Sequence, residues 1–287
     1  LPSTRVLADK INVSRSTIIQ SYELLILEGF IEGKRGSGYW VIDRTDNRSV
    51  KKEDQHTNYP DISKKGKAFS KNVNLIHSTT EKFIAFRPGL PPLDIFPVNQ
   101  WKKLTNLYWR NIKSSSLSFT DSSGIDHLKK NIAYYLKLIR GIQCSHEQII
   151  IVSGSLQSLY LIGNSLIDNG DRMVMENPTF PNVHSIFRSL QADIDAVSLD
   201  ENGIEVDQIK TDKKPKLIHV TPSNHYPFGI QMSYDRKLKL LKWANENNAI
   251  IIENDYDHEV SNWKLKNKPL FSLDQQERTV YLGTFNR

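Results

Sequence analysis

Polar and aromatic residues follow four short apolar segments of the chain, at positions where a ligand could be held. Ser153-Gly154-Ser155 opens a helical pattern, and free backbone N–H groups at such a helix start suit a phosphate. Glu176-Asn177-Pro178-Thr179-Phe180 places an aromatic ring beyond a second segment, and the other two end in Glu253-Asn254-Asp255-Tyr256 and in residues 281–287. Helix capping explains the first motif equally well, and core packing explains Phe180 better. Residue types alone therefore leave this site open.

The first 42 residues predict two helices separated by a tight turn. Leu7, Ala8 and Ile11 share one face of the first helix, and Asn12-Val13 forms the turn. Ser14 is a suitable N-cap for the second helix, which is predicted to end at Gly29. The helical spacing of apolar residues predicts these inward side chains for the second helix: Ile18, Ile19, Tyr22, Leu25 and Ile26.

The first turn of the second helix presents Arg15, Ser16 and Thr17, which suit hydrogen bonding to base edges in a DNA major groove. Residues 30–41 then predict a small hairpin with glycines at the turn and a basic tip. This order predicts a winged helix-turn-helix, although a generic helical pair with a surface hairpin fits about as well. Residues 1–42 hold five Lys/Arg and four Asp/Glu, so DNA binding is inferred from placement and not from bulk charge.

Strands and helices alternate in the second half of the chain. Strands are predicted at 148–152, 172–176, 216–220, 249–253 and 279–282, and helices at 126–140, 155–168, 181–190 and 234–247. This alternation predicts an α/β fold with a mostly parallel sheet that helices cover on both faces. Ligands collect at the carboxyl ends of strands in such folds. Residues 43–72 have few large apolar side chains and are predicted to form a flexible linker.

Several motifs together resemble known families. The N-terminal residues are similar to the GntR-type winged helix in the motifs Leu1-Pro2-Ser3-Thr4-Arg5, Val13-Ser14-Arg15-Ser16-Thr17, Leu27-Glu28-Gly29-Phe30-Ile31 and Gly36-Ser37-Gly38-Tyr39-Trp40-Val41. The remainder resembles the large domain of fold-type I pyridoxal phosphate (PLP) enzymes, the aminotransferase fold, at residues 121–124, 153–157, 170–172, 176–181, 220–223, 251–257 and 281–285. The combination resembles the MocR subgroup of GntR-type transcriptional regulators.

This resemblance implies a domain organisation and a set of site residues. Residues 1–42 would form a DNA-binding domain without the family's first helix, 43–72 a flexible linker, and 73–287 a partial aminotransferase-like PLP domain without its C-terminal portion. The implied DNA-facing residues are Arg5, Arg15, Ser16 and Thr17, with Arg35 and Gly38 on the wing. The implied cofactor-binding residues are Ser155 and Leu156 of the phosphate cup, Phe180 on the ring, Asn254, Tyr256 at the cofactor hydroxyl, Thr284 and Arg287.

Three of these positions depart from the family pattern. Leu156 stands where a glutamine is usual, although a backbone contact to a phosphate would survive that change. The family has an aspartate at the pyridine nitrogen, and this chain has Asn254, whose neutral amide cannot stabilise a pyridinium as an anion does. The adjacent Asp255 is expected to face the other way, because side chains alternate along an extended segment. The family has its Schiff-base lysine where this chain has Arg287, and a guanidinium stays protonated and forms imines very poorly. We therefore expect no catalytic residue and only non-covalent PLP binding, or none.

Composition narrows the remaining classes. No apolar run is long enough to span a bilayer, the N-terminus has no signal-peptide pattern, and Cys144 is the single cysteine, which fits a reducing cytoplasm. The net charge of +6 permits a polyanionic partner without requiring one. No spacing of residues indicates a metal site or a hydrolase.

The function favoured by these observations is a DNA-binding regulator that senses PLP or an amino-acid-related small molecule. A PLP-dependent aminotransferase, and a decayed fragment that retains only DNA binding, remain as alternatives. The partners expected are double-stranded DNA and a small-molecule effector, with no membrane and with a homodimer suggested by the family resemblance.

Overall fold

A computed structural model describes residues 1–34, 36–42, 60–70, 93–118, 121–210, 212–256 and 268–285 of the chain. The chain divides into two compact units, Leu1–Asp61 and Ile62–Arg287. Arg35 and Arg287, which the family resemblance marks as site residues, lie outside the described residues.

The N-terminal unit contains the two helices and the hairpin that its sequence predicts. Helix α1 spans Thr4–Ile11 and helix α2 spans Arg15–Leu27, with serine N-caps at Ser3 and Ser14. Asn12 ends α1 in the left-handed region with a φ of 52°. Strands β1, Ile31–Lys34, and β2, Gly38–Val41, pair antiparallel. The short polar residues at each boundary thus set the lengths of both helices.

The buried stripe of this unit is narrower than its sequence predicts. Its core consists of Ala8 on α1, Ile18 and Tyr22 on α2, and Ile31 on β1. Three predicted inward residues are instead exposed, namely Ile11 at 52%, Ile19 at 37% and Ile26 at 42%. An amphipathic helix pattern identifies a broad apolar face. The described elements of this small unit cover only the centre of that face, so the residues at its sides stay in contact with solvent.

A helix lies inside the segment that is predicted to be a flexible linker. Helix α3 spans Lys64–Ser70, so the prediction of a structureless tether is wrong for these residues. The ring of Phe69 packs edge-on against Tyr160, with ring centroids 5.4 Å apart. Helix α3 also packs against α7, and a composition-based argument cannot detect such contacts with distant elements.

Two more helices precede the sheet of the second unit. Helix α4 spans Val98–Asn111, and helix α5 spans Asp126–Tyr135 and continues as a π-helical turn over Leu136–Arg140. The strand predicted at 148–152 is wrong: a 3₁₀ turn covers His146–Gln148, and the following residues belong to no strand. The Ile151 N–H instead donates to the carbonyl of Ser123, at 2.8 Å. A loop partner has therefore taken the hydrogen bond that a sheet neighbour would have made.

The sheet of the second unit has six described strands in the order β5-β4-β3-β6-β7-β8. Their bounds are β3 Arg172–Asn177, β4 Asp193–Asp200, β5 Gly203–Ile204, β6 Leu217–Val220, β7 Ile250–Asp255 and β8 Thr279–Gly283. All neighbouring strands run parallel except the short antiparallel pair β4–β5. Helix α6, Ser155–Leu166, precedes β3, and the helices between the strands are α7 Pro181–Ser189, α8 Tyr234–Asn247 and α9 Leu270–Leu273. The predicted mostly parallel sheet is confirmed.

Each face of this sheet packs against its own helices. Leu159 of α6 and Phe187 of α7 pack on one face with Leu217 and Ile252, which we call the α6/α7 face. Leu240 and Trp243 of α8 pack on the other with Ile218 and Ile251, which we call the α8 face. Since side chains alternate along a strand, these two clusters fix which side each strand-end residue occupies.

None of the helices in the described ranges has both the length and the apolar character needed to cross a bilayer.

Candidate functional site

The residues predicted to hold a ligand converge at the carboxyl edge of the parallel strands. Helix α7 follows β3 and begins after Phe180, so its N-terminus lies at this edge. Helix α6 precedes β3 and packs against α7, and a helix that leads into a strand of this sheet begins at the same edge. Tyr256 and Thr284 follow the last residues of β7 and β8. The elements thus bring Ser155, Phe180, Tyr256 and Thr284 to one edge of the sheet.

Three aromatic rings form the centre of this edge. Phe180 is half-buried, and the ring of Tyr256 meets it edge-on, with centroids 5.0 Å apart and planes at 84°. Tyr226 lies parallel to Phe180, with centroids 4.0 Å apart and planes at 13°. The structure therefore joins two of the predicted ring-binding residues directly, and it adds a third aromatic residue stacked on the first.

The loop that carries Tyr226 is fixed to the end of β3 by His225. His225 is buried, and its Nε2 donates to the carbonyl of Pro178 at 3.0 Å. Burial lowers the pKa of His225. Glu176 holds the start of the same loop, because its Oε2 accepts hydrogen bonds from Thr221 N at 3.0 Å and Thr221 Oγ1 at 2.7 Å. Burial raises the pKa of the Glu176 carboxyl to about 8.

Asn254 lies on the α6/α7 face, two residues beyond Ile252. It is 6% exposed, and its Nδ2 lies 3.4 Å from Nε2 of the fully buried His219. Burial lowers the pKa of His219 to about 4, so the imidazole is neutral at physiological pH. Where the family has a carboxylate, this chain therefore has the neutral Asn254 amide, with the neutral His219 imidazole next to it.

Asp255 points to the opposite face, as side-chain alternation predicts. Its Oδ2 accepts hydrogen bonds from Arg140 Nη2 at 2.5 Å and from the Tyr281 hydroxyl at 2.6 Å. Arg140 also donates to Ser223 Oγ at 3.0 Å. Burial and the negative Asp255 raise the pKa of Tyr281, so its hydroxyl stays protonated and donates. Asp255 is thus engaged in a buried network and cannot replace the missing carboxylate at position 254.

Sequence reasoning missed this network and the role of Tyr226. Arg140 is separated from Asp255 by 115 residues, and its sequence signal is only that of a basic residue at a helix end. Tyr226 belongs to the motif Asn224-His225-Tyr226-Pro227, whose sequence suggests a pocket loop without identifying a residue that fills it. Both roles depend on long-range contacts, which have no local pattern.

The N-terminus of α6 is exposed and begins after a glycine. Gly154 precedes the helix with a φ of 95°, a left-handed conformation that glycine adopts without strain. Ser155 and Leu156 are exposed, and the Ser153 N–H donates to Gln157 Oε1 at 2.6 Å. The first backbone N–H groups of α6 therefore face the outside, in the arrangement in which helix starts bind anions.

The predicted DNA-facing residues are on the surface of the N-terminal unit. Arg5, Arg15, Ser16 and Thr17 are exposed. The Ser16 and Thr17 hydroxyls each lie 2.7 Å from Ser14 Oγ, so a shared hydrogen-bond cluster orders the first turn of α2. Gly38 begins β2 with a φ of 105° and is also exposed.

A surface depression of about 460 Å³ lies elsewhere in the second unit. Its lining residues are Ala133, Tyr134, Lys137, Gln143, Cys144, Ser145 and Gln148. These residues belong to α5 and the segment after it, not to the strand ends. This depression is thus separate from the candidate site, where the Tyr226 ring covers one face of Phe180.

The residues at the strand ends fit a planar ring with an anionic group. Phe180 supplies an aromatic face, and α6 supplies backbone N–H groups. Among the described residues, Thr179 Oγ1 and His219 Nδ1 are buried polar atoms without a hydrogen-bond partner, and each adjoins a site residue. A buried polar atom without a partner costs about 1–3 kcal/mol, so a polar ligand at this edge would be stabilised by them. PLP has these features, but Asn254 does not fit the activation of its ring for catalysis.

Comparison with known proteins agrees with this geometry. The family model for aminotransferase class I and II matches residues 82–285. An archaeal alanine:glyoxylate aminotransferase has 27% sequence identity and a TM-score of 0.66, over 78% of this chain and 57% of that one. A Pyrococcus horikoshii kynurenine aminotransferase, solved in complex with PMP, has 26% identity and a TM-score of 0.66, over 84% of this chain and 60% of that one.

Similarity to regulatory proteins extends over nearly the whole chain. The probable rhizopine catabolism regulatory protein MocR of Rhizobium meliloti is 32% identical over 99% of this chain and 57% of its own length. The HTH-type pyridoxine biosynthesis transcriptional regulator PdxR of Corynebacterium glutamicum is 29% identical over 100% of this chain and 58% of its own length. The chain thus spans less than two thirds of these relatives.

The chain belongs to the aminotransferase class I and II family. The resemblance to the MocR subgroup of GntR-type regulators, which the sequence indicated, is confirmed.

Proposed function

We propose that this chain acts as a DNA-binding transcriptional regulator, in which residues 1–42 form a winged helix-turn-helix that binds double-stranded DNA. In this proposal residues 73–287 form an aminotransferase-like domain that senses PLP or a PLP-derived small molecule and does not catalyse transamination. A regulator of this kind acts in the cytoplasm. The observation that carries the proposal is that relatives named as regulatory proteins, two of them as HTH-type transcriptional regulators, align with the N-terminal unit and the sheet unit together.

Helix α2 is the element best suited to enter a DNA major groove. Its first turn exposes one guanidinium and two hydroxyls, and these groups can hydrogen-bond to base edges and to phosphates. The Ser14 cluster orders this turn before DNA binds, which lowers the entropic cost of binding. Recognition helices of helix-turn-helix proteins contact bases through their N-terminal residues, and the exposed first turn of α2 would do the same.

The strand-end site is proposed to hold PLP by non-covalent contacts. Phe180 would stack on the ring, the first N–H groups of α6 with Ser155 and Leu156 would bind the phosphate, and Tyr256 and Thr284 would contribute hydroxyl groups. When bound in catalytic enzymes, PLP withdraws electrons from its substrate through a protonated ring. Asn254 can donate an amide N–H to an unprotonated ring nitrogen, so it favours the neutral ring. Together with Arg287 in the lysine position, this favours ligand sensing over catalysis.

The DNA-binding part is tested by replacing Arg15 with alanine. We expect Arg15→Ala to weaken binding to a labelled DNA duplex about tenfold, because a well-placed arginine contact to a base edge is worth roughly 1–3 kcal/mol. The affinity of the wild-type chain should fall steeply as salt rises, since phosphate contacts release counterions. Fluorescence anisotropy across a salt series measures both effects.

Arg188→Ala is the matched control, because Arg188 is an exposed arginine on α7 of the other unit. It should change the affinity less than twofold. Binding that does not depend on salt, or an equal loss for both variants, would contradict the placement of the DNA site on α2.

A further inference from the structure

One face of the Phe180 ring is covered by an aromatic side chain of the protein itself. Tyr226 lies parallel to Phe180 with a centroid separation of 4.0 Å, and Tyr256 closes one side of the pair edge-on at 5.0 Å. We call the space next to Phe180 that holds the Tyr226 ring the ring slot. Its width is that of one stacked aromatic ring.

We propose that the ring slot is a binding site for a single planar aromatic ring, and that Tyr226 is the residue that sets its affinity by filling the slot until a ligand ring replaces it. This inference rests on the proposed function, since it concerns the site at which a PLP-like ligand would be sensed. It assigns a specific role to Tyr226, and it makes ligand entry an exchange of one ring for another.

The loop around Tyr226 is built for such an exchange. On its N-terminal side, His225 is buried and bonded to the Pro178 carbonyl. On its C-terminal side, Pro227, Phe228 and Gly229 are exposed, and Gly229 has a φ of 68°. Tyr226 is therefore placed between a fixed residue and an exposed loop tip, so its side chain can leave the slot while His225 stays in place.

Two buried polar atoms of residues that adjoin site residues have no hydrogen-bond partner among the described residues. They are Thr179 Oγ1, next to Phe180 in the sequence, and His219 Nδ1, whose ring faces Asn254 through its other nitrogen. The Tyr226 ring brings a single hydroxyl to this edge of the sheet, whereas a pyridine that carries hydroxyl and hydroxymethyl groups brings several polar groups.

The two rings compete, so removing one should strengthen binding of the other. A stacked aromatic pair is worth enough to change an equilibrium constant about threefold to tenfold. We therefore expect Tyr226→Ala to bind pyridoxine phosphate about threefold to tenfold more tightly than the wild-type chain. This probe has the ring and phosphate of PLP but an alcohol in place of the aldehyde, so it cannot form imines with surface lysines. Isothermal titration calorimetry of the full chain gives the dissociation constants.

Two further variants make the test specific. Tyr234→Ala removes an exposed tyrosine at the start of α8 and should leave the affinity unchanged within twofold. Phe180→Leu keeps an apolar side chain but removes the aromatic face, and it should weaken probe binding in both the wild-type and the Tyr226→Ala background. Circular dichroism spectra identical to those of the wild-type chain establish that each variant is folded.

Each result bears on the inference in a defined way. The ring exchange is supported if Tyr226→Ala, and not Tyr234→Ala, binds the probe more tightly than the wild-type chain. It is also supported if Tyr226→Ala binds the probe and the wild-type chain does not. Equal affinities of the wild-type chain and folded Tyr226→Ala would overturn the exchange but leave the proposed PLP-like ligand intact. If neither protein binds the probe, both the exchange and the proposed ligand class are overturned, and the proposed DNA binding is unaffected.

Discussion

At the scale of single residues, the chemistry of the candidate site is decided at position 254. An aspartate there would be a buried anion, and it would keep a pyridine ring protonated. Asn254 instead adjoins His219, which burial keeps neutral. Asp255 is held on the other face by Arg140 and Tyr281, so it cannot compensate. These contacts are the reason why the proposed function is ligand sensing and not catalysis.

His219 should make the stability of the chain depend on pH. Its folded-state pKa of about 4 lies below the ordinary value of 6.5, so the unfolded chain binds a proton that the folded chain does not as pH falls through this window. This contribution is fully present above pH 6.5 and is lost toward pH 4, on the order of 1 kcal/mol per pH unit.

His219→Gln, which keeps a hydrogen-bonding group beside Asn254, should reduce this slope. Urea unfolding at a series of pH values measures the slope of both proteins. The raised pKa of Glu176 gives a slope of opposite sign in part of the same window, so the test is the difference between the two slopes. An unchanged slope in the variant would show that His219 titrates normally in the folded chain.

At the scale of secondary-structure elements, the close approach of α6 and α7 positions both helix starts at the site. Gly163 of α6 makes this approach possible, because a Cβ there would lie 2.3 Å from Leu190 Cδ1 and 3.2 Å from Phe187 Cε1. Leu190 and Phe187 are both buried, so neither can move away without disturbing the α6/α7 face.

Gly163→Ala should therefore destabilise the chain by about 1–2 kcal/mol, since overpacking outweighs the gain in helix propensity. Asn164→Ala is the control on the same helix, because Asn164 is exposed, and it should change the free energy of unfolding by less than about 0.5 kcal/mol. Chemical denaturation measures both variants. A neutral or stabilising Gly163→Ala would mean that the two helices are not in tight contact.

Elements with strong local signals were predictable from the sequence, and elements ordered by distant contacts were not. Helix α2 has a serine N-cap and regularly spaced apolar residues, and α8 begins after Ser233, which caps it in the same way. Helix α3 packs against α7 and contacts Tyr160 through Phe69, and Ile151 in the segment 148–152 bonds to a loop residue instead of a strand. Strand β4 was not predicted, because the aspartates at both of its ends are typical of loop sequences.

The same distinction holds for the candidate site. Phe180, Asn254 and Tyr256 follow predicted strands, and alternation correctly separated Asn254 from Asp255. The stack of Tyr226 on Phe180 joins residues 46 positions apart in the sequence, counted from 180 to 226, and no local pattern predicts it.

At the scale of the whole molecule, the account depends on a DNA-binding unit and a ligand-binding unit in one chain. The sheet unit alone would place this chain among aminotransferases, and the N-terminal unit alone would leave its ligand unknown. Relatives that are named as HTH-type regulators align with both units, which is why the regulatory function is favoured over catalysis.

The most direct test of this central claim is a selection of DNA sequences from a random duplex library by the full chain. We predict that the wild-type chain enriches a defined sequence motif and that Arg15→Ala, folded as judged by circular dichroism, loses this enrichment. Arg188→Ala should enrich the same motif as the wild-type chain. Failure of the wild-type chain to enrich any motif, or the same motif recovered with Arg15→Ala, would contradict DNA recognition through α2.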